Sequence, residues 1–89
     1  MGKLTKTENQ IFLNDGLGEL ILIYRRRQKI SQEKLGALVG LTRQTIGLIE
    51  AGMQDITFYN MIMLIKVLKI PKEEIEKLVH DRIFKGETL

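Results

Sequence analysis

Residues 31–52, SQEKLGALVGLTRQTIGLIEAG, read as two short helices joined by a tight turn. Ser31 carries a side-chain oxygen suited to cap the first helix, and Leu35, Leu38 and Val39 give that helix an apolar stripe. Gly40 then stops it where a left-handed backbone conformation costs least. Thr42 is placed to cap the second helix, which buries Ile46 and Ile49, three residues apart, and ends at Gly52. Arg43, Gln44, Thr45, Gly47 and Leu48 fall on its other sides. A helix with one apolar stripe and uncharged or basic hydrogen-bonding groups elsewhere has the character needed to lie in a groove.

This register resembles the helix-turn-helix of the phage repressor and Cro-like family, the XRE-type regulators. The matching residues are Arg25, Ser31-Gln32, Leu35, the small Gly36, Val39-Gly40, Thr42, Gln44, Ile46, Ile49-Glu50 and Gly52, and the likeness runs from about Leu17 to Ile75. Glycine between two short helices is common in small helical domains, so it is the agreement of many positions in one register that is specific. The resemblance implies an all-α, five-helix, lambda-repressor-like DNA-binding domain.

The flanking elements follow from caps and periodicity. Asn14 or Asp15 is expected to cap a first helix that runs to about Gln28, with Leu17, Ile21 and Tyr24 facing the core. Leu20, Leu22 and Ile23 widen that apolar face beyond what a small bundle needs, so the N-terminal tail or a second subunit is expected to cover part of it. A fourth helix is predicted after Thr57, ending near Lys69, with Phe58, Met61, Ile65 and Leu68 spaced for burial and Leu64 alongside. Pro71 suits the first position of a fifth helix, and Glu73, Glu74 and Glu76 lie near its positive end. Residues 1–13 read as a tail, with Ile11 and Phe12 able to dock on the body, 14–84 as the DNA-binding domain and 85–89 as a C-terminal tail.

A chain of 89 residues makes one domain. It contains no cysteine, so a disulfide framework and a thiolate metal site are both excluded, and the composition suits a reducing cytosol. No apolar run exceeds five residues, far too short to span a bilayer, and MGKLTKTENQ lacks the apolar core of a signal peptide. A cytoplasmic protein is expected. The net charge of +3 is too mild to imply nucleic acid by itself. Its distribution says more: residues 1–30 hold six lysines or arginines against three acids, and residues 70–89 hold four against five. Arg25-Arg26-Arg27-Gln28-Lys29 stands directly before the motif, where cations also favour a helix C-terminus.

In the family it resembles, the third helix enters the major groove and the second crosses above it, anchored to phosphate. Carried over position by position, Gln44 is the first candidate base reader, because its amide matches the N6 donor and N7 acceptor of adenine. Arg43 pairs with guanine or with phosphate, and Thr45 with phosphate or a thymine methyl. Leu48 departs from the polar residue usual there and offers only apolar contact, to a thymine methyl or inward to the core. Gly47 costs about 1 kcal/mol relative to alanine inside a helix, which close approach to another surface would explain. Phosphate candidates are Gln32, Thr42, Arg26, Lys29 and Gln54, although capping alone already accounts for Thr42. Arg25 and Glu50 match a buried ion pair that orients the scaffold.

The expected partner is double-stranded DNA bearing a pseudo-palindromic operator, bound by a homodimer that represses transcription. Candidate dimer residues are Ile75, Leu78, Val79, Ile83 and nearby Tyr59, Ile62 or Met63. The competing reading is an antitoxin that combines the same DNA-binding fold with neutralisation of a toxin protein. An enzyme is not expected, nor is any cofactor or metal. The one histidine, His80, stands among charged residues, and no glycine-rich phosphate loop or nucleophile motif is present.

Overall fold

The structure is a computed structural model that describes residues 8–84, with side chains described for 14–81 and 84. Among the described residues there are five α-helices and no strand: α1 (Glu8–Arg27), α2 (Gln32–Val39), α3 (Arg43–Glu50), α4 (Phe58–Leu68) and α5 (Lys72–Phe84). Residues 1–7 of the expected N-terminal tail and the C-terminal tail 85–89 lie outside the described residues, as do the side chains of Ile11 and Phe12, whereas residues 8–13 of that tail belong to α1.

The short helices begin where side-chain oxygens replace missing helical acceptors. Ser31 Oγ accepts from the Lys34 N–H at 3.0 Å, Thr42 Oγ1 from Thr45 at 3.1 Å and Thr57 Oγ1 from Asn60 at 3.0 Å. Gly40 ends α2 at φ 79°, and Leu41 N donates to Gly36 O at 2.8 Å, which closes the turn into α3. Lysines take the left-handed position after two other helices, Lys29 at φ 58° and Lys69 at φ 57°. α5 starts at Lys72, with Pro71 immediately before it.

α1 begins at Glu8, six residues before the earlier of the two expected caps. The reason is tertiary. Asn14 and Asp15 have the short polar side chains of caps, which compete for local backbone groups. Both instead reach across to the chain that leaves α3. Asn14 Nδ2 donates to Asp55 Oδ1 at 2.7 Å, and the Asp15 carboxylate lies against Gly52.

The core is formed by Leu17 and Ile21 from α1, Leu35 and Val39 from α2, Ile46 and Ile49 from α3, and Leu64, Leu68 and Ile70 from α4 and its exit. α1 packs on α3, α4 and α5, while α2 packs on α3 and α4. Two expected core residues lie outside it. Leu38 is exposed, because α2 turns Leu35 and Val39 inward and leaves Leu38 on its flank. Phe58 is 72% exposed. The buried side of α4 is centred near Leu64 and Leu68, and at about 100° per residue Phe58 lies roughly a quarter-turn away from it. Part of the apolar surplus on α1 faces α5: Leu20 packs on the core, and Leu20 and Ile23 line an α1–α5 groove of about 300 Å³ with Glu74, Lys77 and Leu78, while Leu20, Leu22 and Ile23 all stay half-buried.

Candidate nucleic-acid interface

α3 is held by its inner face and left open on its outer one. Ile46 and Ile49 are buried, and Arg43 and Gln44 are exposed. Neither Arg43 nor Gln44 has a side-chain hydrogen bond or ion pair among the described residues, so the guanidinium and amide tips keep their full donor and acceptor capacity. Thr45 is half-buried. Thr42 Oγ1 accepts the Thr45 N–H and shares a hydroxyl–hydroxyl hydrogen bond of 2.9 Å with Thr45 Oγ1, so one of the two hydroxyl hydrogens is engaged at the start of α3. Leu48 is half-buried, its apolar side chain divided between the body and the surface.

Behind α3 runs a connected polar network. Arg25 Nε donates to Glu50 Oε2 at 2.6 Å and Arg25 Nη2 to Glu50 Oε1 at 3.2 Å, a two-point contact whose side chains are 11% and 5% exposed. Arg25 Nη1 donates to Ile30 O at 2.9 Å, tying the α1–α2 turn into the same group. Gln32 Nε2 then donates to Glu50 Oε1 at 2.9 Å. Gln32 is therefore fixed to the end of α3 through one amide hydrogen and keeps the other for an outside acceptor. In the sequence Gln32 and the Arg25–Glu50 pair are separate features; their shared carboxylate is visible only in three dimensions.

Two glycines shape the pair of helices. A Cβ at Gly36 would come 2.3 Å from Leu41 O, so only glycine lets α2 pack this closely on the turn. A Cβ at Gly47 would meet the Gln32 amide at 3.6 Å, an ordinary contact, so the surface that Gly47 approaches within the subunit leaves room for alanine.

Arg26, Lys29 and Gln54 are exposed, Lys29 in the turn before α2 and Gln54 in the loop after α3. Among the dimer candidates, Ile75, Leu78 and Met63 are half-buried against the core, whereas Tyr59, Ile62 and Val79 are exposed. The Ile83 side chain lies outside the described residues. Exposed Met53, in the loop after α3, and exposed Phe58, next to Tyr59 at the start of α4, are not among those candidates. His80 is 68% exposed and packs on Phe84 with ring centres 4.6 Å apart. Among the described residues no group of acids and histidines is placed to hold a metal ion, and no helix is long and apolar enough to cross a membrane.

A capped pair of short helices, buried by its inner faces and presenting unpaired arginine and glutamine tips, defines a helix-turn-helix DNA-binding domain. Residues 21–75 match the Helix-turn-helix family model, and the chain belongs to that family. The structure is similar to the crystal structure of the restriction-modification controller protein C.AhdI from Aeromonas hydrophila, with 28% sequence identity and a TM-score of 0.67. The match covers 78% of this chain and 99% of that one. A comparison with curated proteins finds no match. The chain is a DNA-binding transcriptional regulator, and these similarities favour that reading over an antitoxin.

Proposed function

We propose that the chain is a cytoplasmic homodimeric repressor that lays α3 in the major groove of a pseudo-palindromic operator. The observation that carries this reading is the exposure of Arg43 and Gln44, unpaired, on a helix otherwise fixed to the body. Gln44 reads adenine through its amide, and Arg43 reads guanine or clamps a phosphate. Thr45 and Leu48 add hydroxyl and apolar contacts. Gln32, held by Glu50, presents its second amide hydrogen to a phosphate together with the free N–H groups at the start of α2. Arg26, Lys29 and Gln54 add phosphate contacts, and Thr42 serves chiefly as the cap of α3.

One such module buries too little DNA for strong specificity, which supports a pair of subunits with recognition helices about 34 Å apart. The exposed apolar side chains Met53, Phe58, Tyr59 and Ile62 supply surface for a second copy. The similarity to a restriction-modification controller protein makes DNA beside restriction-modification genes the first natural sequence to test.

In vitro selection from random duplexes, followed by sedimentation of the protein with and without the recovered site, tests the proposal. The expected result is a two-fold-related motif with half-sites about one helical turn apart, bound by two chains. A selection that enriches no motif, or a monomer at tens of micromolar both free and on DNA, would refute it.

A further inference from the structure

One face of α1 is committed along much of its length to the end of α3 and the chain that follows. Gly18 and Arg25 share that face, seven residues and thus about two turns apart. Arg25 holds the Glu50 carboxylate. At Gly18 the two helices meet backbone to backbone: a Cβ built there would lie 2.3 Å from Ile49 O and 3.0 Å from Glu50 O. One turn earlier, Asn14 bonds Asp55 and the Asp15 carboxylate sits against Gly52.

The kind of obstacle matters. At Gly16, on the same helix, an added Cβ would meet Leu78 Cδ1 at 2.4 Å, the flexible tip of a side chain on α5. That tip can change rotamer. At Gly18 the obstacle is the carbonyl backbone of the last turn of α3, which can yield only if that turn moves away from α1. α3 has eight residues, a rigid rod of about 12 Å, so a shift at Ile49 and Glu50 is passed on to Arg43 and Gln44 at its other end.

We propose that Gly18 is a positioning residue for base recognition: its missing side chain seats the last turn of α3 against α1 and so sets where the Arg43 and Gln44 tips project. The inference rests on α3 being the recognition helix. Bidentate contact to a base edge depends on hydrogen-bond geometry that weakens steeply with displacement, whereas attraction to the phosphates is long-ranged and tolerant. Moving α3 therefore costs selectivity before it costs general affinity for DNA.

The test compares wild type, Gly18→Ala and Gly16→Ala, each at a temperature where its own melting curve shows it folded. Each is titrated at one stated salt concentration with the selected duplex and with a scrambled one. In Gly18→Ala the ratio of the two affinities is expected to fall roughly tenfold, the scale of one good base contact, with scrambled-DNA affinity within about twofold of wild type. Gly16→Ala is expected to keep the wild-type ratio whatever happens to its melting temperature. A purely structural role would lower both affinities by the same factor, because it only removes folded protein.

An unchanged ratio in Gly18→Ala, or an equal fall in both variants, would overturn the inference. Should Gly18→Ala fail to fold, Asn14→Ala loosens the same grip without a clash and is expected to lower the ratio about threefold, within the worth of one hydrogen bond. An unchanged ratio there would overturn it equally. A wild-type chain that prefers no duplex would defeat the recognition reading of α3 and this inference with it, whereas the variant results bear on the inference alone.

Discussion

Replacing Glu50 by alanine should be among the most damaging single changes this domain can suffer. The carboxylate accepts two bonds from Arg25 and one from Gln32, and only 5% of its side chain is exposed. Its removal leaves the Arg25 guanidinium, 11% exposed, with Ile30 O as its remaining partner. Breaking a buried pair by deleting one member typically costs about 3–5 kcal/mol, because the surviving charge stays desolvated and unpaired. At 0.05–0.15 kcal/mol per residue, a domain of 89 residues has roughly 4–13 kcal/mol in total, so the loss takes a large share. At about 4–8 °C per kcal/mol, the melting temperature should fall by about 12–40 °C. Urea unfolding followed by circular dichroism measures the free energy directly. The companion variant Arg25→Met/Glu50→Leu removes both charges and leaves neither stranded, so it is expected to be more stable than Glu50→Ala. A Glu50→Ala loss below about 1 kcal/mol, the value of a solvated surface pair, would refute the reasoning. So would a double variant no more stable than the single one.

Two further outcomes are expected. Lys69 ends α4 at φ 57°, where a side chain is strained, so Lys69→Gly should stabilise the fold by about 0.5–1 kcal/mol; a lower melting temperature would show that the lysine is not strained there. In binding titrations, Gln44→Ala should cost about 1–3 kcal/mol on the selected site and relax discrimination at one base pair, while Gln32→Ala weakens selected and scrambled DNA more evenly. Equal losses on both duplexes for Gln44→Ala would remove it from the base readers.

The parts of the fold that sequence reveals are those governed by neighbours in the chain. Ser31, Thr42 and Thr57 each cap the helix that follows, and Gly40 takes the left-handed turn, because a cap needs only an oxygen and a reachable N–H within three residues. The same local logic misplaced the start of α1. Asn14 and Asp15 have cap chemistry, but their partners lie around Gly52 and Asp55, some forty residues away, and nothing in the local pattern signals that. Phe58 misleads for a related reason. Its spacing to Met61, Ile65 and Leu68 is helical, yet which stripe of an almost wholly apolar α4 turns inward is decided by what α1 and α2 present to it.

The candidate site divides along the same line. Gln44 is legible because it lies almost opposite the buried pair Ile46 and Ile49, so its exposure follows from period alone, whereas Arg43, three residues before Ile46, is legible only from its charge and its place directly after the cap. The sharing of Glu50 between Arg25 and Gln32 is not legible, since the three residues come from three helices. Gly18 leaves a faint trace: a glycine inside a helix is costly, and this one stands seven residues before the arginine that binds the end of α3. Here the helix-interior Gly18, two turns before Arg25, marks where α1 meets the backbone of the last turn of α3. In a recognition domain that point of approach sets the reach of side chains it never touches. What α3 presents to DNA is therefore governed from both of its sides, by the residues on its outer face and by the helix packed behind it.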